Sequence, residues 1–308
     1  MRIFVAGATG VLGRRAVPQL VRRGHQVTGV ARGTAKAAAL REHGAAPIAV
    51  DLFDGPAVSR AVDDHEVVVN LATAIPPLHK FTLRSAWQMT NRLRSEAARH
   101  LVDGALAAGA RRCVQEALGF AYGGHGATWI DEDAALQVPD VLWGLREAEA
   151  QAARFDGSGG DGVTLRFGQF YSADSPHTRT MLAIIRCGLL PIPGRPDDFQ
   201  SWVHVDDAAA AVVAAVDARG GRYNVVEDDP LTNADHTEVL GGLVGRRVRH
   251  LPAWLAVTAP LTMQVRSQRV SNAALRRATS WQPTYGQRRD GWEAVLSSLA
   301  ADTPTQTV

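Results

Sequence analysis

The first 170 residues alternate between short apolar runs and longer stretches whose apolar residues recur at helical spacing. The apolar runs lie at residues 3–6, 26–30, 47–50, 67–71, 112–116 and 163–167. Runs without polar alternation are typical of strands that helices cover on both faces of a parallel sheet. Long helices are predicted over residues 85–108 and 139–155. Because strands and helices alternate, we expect parallel βαβ units and an α/β fold built on a doubly wound parallel sheet.

The pattern changes after residue 170, where the apolar pieces become short and are broken by Pro and Gly, as in residues 191–196. A chain of 308 residues is longer than a sheet domain of ordinary size, so we expect a second, smaller lobe. We assign residues 1–170 to the sheet domain, with residues 200–226 returning to it. Residues 171–308 are expected to form mainly a substrate-binding lobe.

Three glycines follow the first apolar run in the segment Gly-Ala-Thr-Gly-Val-Leu-Gly, at Gly7, Gly10 and Gly13, and a helical pattern begins near Val11. Glycine allows a tight turn and a close approach of the backbone to a pyrophosphate, and the positive end of the following helix attracts that anion. The context of strand, glycine turn and helix therefore predicts a dinucleotide site. A purely structural glycine turn is the alternative.

The spacing GxxGxxG resembles that of the short-chain dehydrogenase/reductase superfamily, and GATGVLG is most similar to its extended branch of epimerases, dehydratases and related reductases. Further similar segments are Ser-Trp-Val-His-Val-Asp-Asp at 201–207, Arg-Tyr-Asn-Val at 222–225 and Ser-Trp-Gln-Pro at 280–283. The resemblance thus runs nearly from end to end. It implies a Rossmann-type doubly wound sheet with a smaller C-terminal substrate lobe.

The end of the second predicted strand bears on the choice of nicotinamide cofactor. No carboxylate follows Val30 to hold a ribose 2′-hydroxyl, whereas Arg32 offers the planar fork of donors that suits a 2′-phosphate. This favours NADP, with NAD as the other possibility and a solvated surface arginine as the structural alternative. The residues expected to bind the cofactor, several of them implied by the resemblance alone, are Gly7, Thr9, Gly10, Val11, Leu12, Gly13, Arg32, Asp51, Leu52, Leu71, Ala72 and Thr73. For Asp51 a helix cap is an open alternative, and for Leu71 plain packing.

The family's proton relay is missing from this sequence. Members of the family use a tyrosine, a lysine four residues later and a Ser or Thr hydroxyl, but here no tyrosine occurs between Tyr122 and Tyr171 and no lysine follows Lys80. If Glu149 matches the glutamate that commonly follows the family motif, Val141 and Leu145 occupy the tyrosine and lysine positions. Ala117 or Leu118 stands where the hydroxyl is expected.

Residues near the predicted strand ends are candidates to replace the relay. Glu116 and Tyr122 are candidate proton donors or acceptors, since a carboxyl or phenol at a strand end can take that role. A paired structural carboxylate and a packed tyrosine are the alternatives. The residues expected around the substrate are His79, Trp129, Gln169, Tyr171 and Trp202, for which surface exposure or core packing is the alternative. His204 is expected to be structural.

Three functions follow from this pattern. The first is NADP-dependent carbonyl or alcohol redox on a small, hydrophobic, oxygenated metabolite, with a proton from Glu116, Tyr122 or water. The second is a non-redox reaction of specialised metabolism on the same fold, namely cyclisation, dehydration or isomerisation. The third is a non-catalytic dinucleotide-binding sensor.

Composition limits the partners. The chain is 46% hydrophobic and 21% charged with a formal net charge of +2, which is ordinary for a globular protein and gives no reason to expect nucleic acid. No apolar run approaches the roughly 20 residues of a membrane span, and the first strand begins at Arg2, so we expect a cytoplasmic protein without membrane contact. Cys113 and Cys187 are far apart, which indicates neither a metal site nor a redox pair. A small-molecule substrate and a monomer or homodimer are expected.

Overall fold

The computed structural model describes residues 1–255 and 262–301 of the chain. In chain order its strands are β1 (Arg2–Ala6), β2 (Gln26–Val30), β3 (Ala46–Ile48), β4 (Val67–Asn70), β5 (Arg112–Leu118), β6 (Trp129–Ile130), β7 (Asp161–Phe167), β8 (Gln169–Tyr171), β9 (Leu189–Gly194), β10 (Phe199–Gln200), β11 (Trp202–His204), β12 (Gly221–Val225), β13 (Leu231–Thr232), β14 (Arg249–Pro252) and β15 (Arg269–Val270). Seven of them form one parallel sheet in the order β12-β7-β5-β4-β1-β2-β3. The direction of strand addition reverses between β1 and β4, where a crevice opens at the carboxyl edge of such a sheet.

The helices that the model describes lie between these strands and in the second lobe. They are α1 (Gly13–Arg22), α2 (Thr34–Glu42), α3 (Gly55–Val62), α4 (Gln88–Arg92), α5 (Ala98–Ala107), α6 (Gly144–Gly157), α7 (Pro176–Arg186), α8 (Val205–Ala215), α9 (Asn233–Val244), α10 (Ala273–Ala278) and α11 (Arg288–Ala301). A π-helical turn, Leu93–Ala97, joins α4 to α5, so the helix predicted over residues 85–108 is present with this irregularity. The helix predicted over 139–155 begins as the 3-10 turn Asp140–Leu142 and continues as α6.

Apolar side chains cover both faces of the sheet. Strand β1 shows this directly, because Ile3 and Val5 belong to the cluster that packs against α1 and α8, while Phe4 and Ala6 belong to the cluster that packs against α3 and α5. All four are fully buried, as the near-continuous apolar runs of the sequence indicate. The predicted α/β fold with a doubly wound parallel sheet is confirmed.

A third apolar cluster forms the core of the C-terminal part, with Tyr171, Trp202 and Trp292 as its largest members. Short two-stranded sheets surround it, among them β8 with β11 and β9 with β14. From the segment 200–226, β12 pairs with β7 in the large sheet and α8 packs against α1. The division of the chain into two lobes stays a prediction.

Two further sequence expectations concern membranes and cysteines. Within the part of the chain that the model describes, no helix combines the length and apolar character needed to cross a membrane. Cys113 is buried, and burial raises the pKa of its thiol to about 12, whereas Cys187 is exposed. Among the described residues no group of His, Cys, Asp and Glu side chains could hold a metal ion.

Candidate functional site

The glycine loop packs too tightly for side chains at two of its three glycines. At Gly7 the φ angle is +77°, and a Cβ there would lie 2.6 Å from the carbonyl carbon of Leu71. At Gly13, the first residue of α1, a Cβ would lie 2.2 Å from the Gly7 carbonyl oxygen. At Gly10 a Cβ would meet only the Gly7 carbonyl oxygen, at 3.2 Å. The loop therefore needs Gly7 and Gly13 to close on itself, while Gly10 keeps space open on its outer side.

A cavity of about 640 Å³ lies along the carboxyl edge of the sheet, where the crevice is expected. Eleven of the twelve residues predicted to bind a cofactor line it: Gly7, Thr9, Gly10, Val11, Leu12, Arg32, Asp51, Leu52, Leu71, Ala72 and Thr73. Gly13 does not, because it packs inside the loop. The N–H groups of Val11 and Leu12 make no hydrogen bond to any described residue, so they are available to an anion.

Basic side chains mark the end of this cavity beside β2. Arg32 lines it as predicted, and Lys36, one helical turn further along at the start of α2, lines it as well. Val30, Val50 and Phe53 complete this region with apolar surface. The combination of free N–H groups, an apolar slot and basic side chains fits a dinucleotide. The sequence analysis did not predict Lys36 as a cofactor-binding residue. Its position four residues after Arg32 was the signal that could have identified it.

Asp51 has a local role besides lining the cavity. Its Oδ1 accepts a hydrogen bond of 3.0 Å from the Phe53 N–H and so holds the turn after β3. The cap of α3 is Asp54, whose Oδ1 accepts from the Ala57 N–H at 3.0 Å. Deeper in the sheet, the Asn70 amide donates to Gln115 Oε1 at 2.9 Å and its Oδ1 accepts from the Ala72 N–H at 3.1 Å. These bonds shape the cavity wall at the ends of β3 and β4.

The remaining part of the cavity, called the substrate half below, is mostly apolar. Its apolar lining consists of Ala74, Ile75, Phe81, Trp87, Met89, Leu93, Leu118, Phe120, Leu142, Phe167, Phe170, Pro176, Met181, Pro191, Ile192, Trp202 and Met263. Its few polar side chains are Glu116, Gln169, Ser175, His177, Thr178 and Gln264. Such a lining favours an apolar ligand, with a small number of polar groups to orient it.

Apolar residues occupy the positions where the family resemblance leads us to expect the proton relay: Ala117 or Leu118 for the hydroxyl, Val141 for the tyrosine and Leu145 for the lysine. Leu118, at the end of β5, and Leu142, before α6, line the cavity, while Val141 and Leu145 are buried beside it. No tyrosine contributes to the lining among the described residues, and the lysine in it, Lys36, belongs to the dinucleotide end. In that alignment, hydrocarbon takes the place of the hydroxyl and ammonium groups that the resemblance implies.

Glu116 reaches the substrate half and is bound there by an arginine. The Arg94 Nη2 donates to its Oε1 at 2.7 Å and to its Oε2 at 3.1 Å, and the Arg94 Nε donates to Oε2 at 3.3 Å. Both side chains are buried, at 1% exposure for Arg94 and 7% for Glu116. Arg94 lies on the π-helical turn and does not line the cavity. Glu116 is therefore a paired carboxylate, as one sequence interpretation had it, and it also lines the cavity.

Tyr122 lies away from the cavity. Its hydroxyl donates to Asn224 Oδ1 at 2.7 Å and accepts from Arg166 Nη1 at 2.8 Å, and Arg166 in turn binds both oxygens of Glu149. Burial raises the pKa of the Tyr122 phenol to about 12. The structure does not bring this hydroxyl to the substrate half, because the ring turns into the space between β7, β12 and the following loops.

The other residues expected around the substrate separate into two groups. Gln169 and Trp202 line the cavity as register partners in the β8–β11 pair. Tyr171 is buried in the third apolar cluster, Trp129 is half exposed with the Arg269 guanidinium 4.2 Å from its ring centre, and His79 is exposed on a 3-10 turn. The structure therefore places Gln169 and Trp202 at the cavity, and not Tyr171, Trp129 or His79.

The histidine that lines the substrate half is His177, which the sequence did not single out. It lies in the first turn of α7, where Ser175 caps the helix by accepting from the Thr178 N–H. Its Nε2 is 3.2 Å from the Pro76 carbonyl oxygen, and its ring centre is 5.7 Å from that of Phe81. His204, by contrast, caps α8 through Nδ1, and burial lowers its pKa.

An ionic bridge ties the start of α1 to the loop before α7. Arg14 Nη2 and Arg15 Nη2 each lie 2.7 Å from an oxygen of Asp174, and Arg15 Nε lies 2.5 Å from Asp206 Oδ1. Arg14 also lines the cavity. The bridge ties the loop that leads into α7, the helix that carries His177, to the helix that follows the glycine loop.

Comparison with known proteins places this geometry in a family. The model of the NAD dependent epimerase/dehydratase family matches residues 3–226. The 3-diazoavenalumate denitrifying reductase of a Streptomyces species is 36% identical over 306 residues, which cover 94% of this chain and 99% of that protein. The human epimerase family protein SDR39U1 is 27% identical over 258 residues, or 80% of this chain and 82% of that protein.

Solved structures share the fold over nearly the whole chain. The crystal structure of human SDR39U1, isoform 2, with NADPH has a TM-score of 0.77 at 24% identity and covers 98% of this chain and 100% of that one. The UDP-glucuronic acid 4-epimerase of Bacillus cereus, solved with UDP-glucuronic acid and NAD, has a TM-score of 0.77 at 16% identity, with 98% and 99% covered. The resemblance inferred from the glycine motif is confirmed, and this chain belongs to the NAD dependent epimerase/dehydratase family.

Proposed function

We propose that this protein is a reductase that uses NADPH to remove nitrogen from an aryl diazo compound. The observation that carries the proposal is the hydrocarbon lining at Leu118 and Leu142, beside the buried Val141 and Leu145 that take the tyrosine and lysine positions when Glu149 is aligned with the family's glutamate. A reaction in this cavity has to proceed without the usual proton relay. The Streptomyces relative, whose name describes a denitrifying reductase of a diazo compound, supports a reaction of this kind.

The dinucleotide end of the cavity supports NADP as the cofactor. The free N–H groups of Val11 and Leu12 would bind the pyrophosphate, and Arg32 and Lys36 would bind the 2′-phosphate. NAD lacks that phosphate and would leave both cations without a partner. Bound NADPH supplies a hydride ion, which is the reductant that the proposed reaction requires.

Replacement of a diazonium group by hydrogen balances without a proton from the protein. An aryl diazonium ion takes up one hydride, with its two electrons; the C–N bond breaks, a C–H bond forms, and N₂ leaves as a neutral molecule. Reduction of a carbonyl instead leaves negative charge on oxygen, which a donor has to neutralise with a proton. An active site that has lost the tyrosine and lysine is therefore better matched to the first reaction.

The lining of the substrate half supports an aromatic substrate. Phe81, Phe120, Phe170 and Trp202 present ring surface to the cavity, and Met181 adds a polarisable thioether. An arene that enters this space exchanges water for apolar contact. The polar groups of Gln169 and His177 are placed to orient a substituent.

Carbonyl or alcohol redox is the second candidate, and His177 is the observation that favours it. Its imidazole lines the substrate half and could give a proton to a developing alkoxide, in place of the missing tyrosine. A non-redox reaction or a sensor role would leave the reducing power of the cofactor unused.

The deciding experiment follows NADPH oxidation by the purified protein with an aryl diazonium salt, an aryl ketone and an aryl enone in parallel. We expect loss of NADPH absorbance with the diazonium salt, one arene formed per NADPH, and release of labelled dinitrogen from a nitrogen-labelled substrate. A reaction without protein measures the direct reduction of the diazonium salt by NADPH. Turnover of the ketone or enone but not of the diazonium salt would establish the second candidate. Binding of NADPH without oxidation in any arm would favour the non-redox or sensor roles.

A further inference from the structure

Glu116 is the one carboxylate that lines the substrate half among the described residues, since Asp51 belongs to the dinucleotide end. Its neighbours along the wall include Leu118 and Phe120. A carboxylate in such surroundings is normally costly, because apolar side chains cannot replace the water that would solvate it. Its presence in the lining therefore calls for an explanation beyond packing.

The contacts of Glu116 show how its charge is held and directed. Both oxygens accept hydrogen bonds from Arg94, three bonds in all, the arrangement of a charge-assisted pair. Arg94 lies behind Glu116, is 1% exposed and does not line the cavity. Its Nη1 has no hydrogen-bond partner among the described residues, so its polar contacts are with Glu116 alone. The pair is thus a fixed dipole with its negative end towards the substrate half.

We propose that Glu116 is a specificity residue that selects a substrate with positive charge, and that Arg94 is the positioning residue that holds it. The inference rests on the proposed function, in which the reacting group is a diazonium cation. Charges interact strongly in a poorly solvated cavity, so a carboxylate at its wall compensates the lost hydration of an entering cation. The same carboxylate opposes negative charge on a carbonyl oxygen. Glu116 would therefore favour diazonium substrates over ketones at the same wall.

The test compares two ligands of one shape that differ in charge and cannot be reduced: meta-hydroxyphenyl-trimethylammonium and meta-tert-butylphenol. Isothermal titration of the protein saturated with NADP⁺, and separately with NADPH, gives their dissociation constants. We expect wild type to prefer the cation and Glu116→Gln to reduce that preference by about tenfold or more. Glutamine keeps an oxygen that Arg94 can bind. The matched control is Glu96→Gln, which removes a partly exposed carboxylate that is paired with Arg92 and lies outside the cavity lining, and it should leave the preference unchanged.

The outcomes separate the possible roles of Glu116. If wild type binds the neutral ligand as tightly as the cation, the proposal is wrong, and this result needs no variant to fold. If Glu116→Gln changes the ratio of NADP⁺ to NADPH affinity instead of the ligand preference, the carboxylate acts on the charge of the cofactor and the proposal is also wrong. Because neither ligand reacts, a clear cation preference would support charge selection even if diazonium turnover failed, and diazonium turnover without that preference would contradict charge selection alone.

Discussion

Substitution of two glycines in the same loop should separate its structural role from its ligand-binding role. In Gly13→Ala the new Cβ would lie 2.2 Å from the Gly7 carbonyl oxygen and 2.5 Å from the Ala8 carbonyl carbon. Both are backbone atoms, so relief requires movement of the whole loop against α1. In Gly10→Ala the single close atom is the Gly7 carbonyl oxygen at 3.2 Å, and the methyl group would otherwise enter the cavity.

The magnitudes follow from these distances. Overpacking of this kind costs up to about 3 kcal/mol, and the helix preference of alanine over glycine at the start of α1 returns at most about 1 kcal/mol. We therefore expect Gly13→Ala to lower the free energy of unfolding by about 2 kcal/mol. Gly10→Ala should change it by less than about 0.5 kcal/mol, as expected away from core clashes, yet weaken NADPH binding because the methyl group blocks the approach of the pyrophosphate.

Urea unfolding followed by fluorescence, together with NADPH titration of each folded variant, measures both effects. Gly242→Ala is the matched control, since Gly242 lies within α9 with no atom within 4 Å of the added Cβ, and it should raise stability by roughly 0.4–1 kcal/mol. A free energy of unfolding of Gly13→Ala equal to that of wild type would refute the packing argument. If Gly10→Ala binds NADPH as tightly as wild type does, the outer side of the glycine loop at Gly10 is not the cofactor surface.

Three other predictions concern the cofactor, the network around Tyr122 and the pH dependence of stability. Arg32→Asp should weaken NADPH much more than NADH in parallel titrations, because only NADPH carries the 2′-phosphate, and equal weakening would remove the case for NADP. Tyr122→Phe should leave kcat for the proposed reaction unchanged but lower the free energy of unfolding by about 1–3 kcal/mol, since Asn224 and Arg166 lose a buried partner; a selective fall in kcat would restore Tyr122 as a catalytic candidate. Burial lowers the pKa of His236 well below its ordinary value, and its Nε2 accepts from Trp292 Nε1 at 3.1 Å, so the folded protein keeps it neutral while the unfolded chain protonates it below about pH 6.5. The free energy of unfolding should therefore fall by about 1.4 kcal/mol for each pH unit below about pH 6.5 because of His236. Urea unfolding at several pH values should show this part of the pH dependence in wild type and not in His236→Gln.

The parts of the molecule that were predictable from sequence depend on local pattern. Six of the seven strands of the large sheet follow from short apolar runs such as Ile3 to Ala6, whereas β12 lies outside the predicted runs. The glycine loop follows from the conformational freedom that only glycine has. Parallel order then brings the strand ends to one edge, which is why residues as distant as Leu12 and Leu71 could both be expected at one cavity.

The substrate half was less predictable because it is assembled from distant segments. Met263, His177 and Trp87 meet there only through the packing of helices and loops whose placement no periodicity reveals. Side-chain direction was the second difficulty. Glu116 lies near the end of β5 and Tyr122 lies just beyond it. Glu116 lines the cavity, whereas the Tyr122 hydroxyl accepts from Arg166, and the path of the chain between them sets this difference. The partner of Glu116 lies 22 residues earlier on a π-helical turn, which has no local sequence signal.

The position of Lys36 allows cofactor occupancy to be measured by chemical labelling. Lys36 and Lys80 are its two lysines, and they differ in place, since Lys36 lines the dinucleotide end of the cavity and Lys80 is exposed on a turn outside it. An amine-reactive label therefore meets two side chains and the N-terminal amine, of which a bound dinucleotide would shield Lys36. The ratio of labelling at Lys36 to labelling at Lys80, measured by mass spectrometry of peptides, would report cofactor occupancy without any turnover. Lys80 serves as the internal reference.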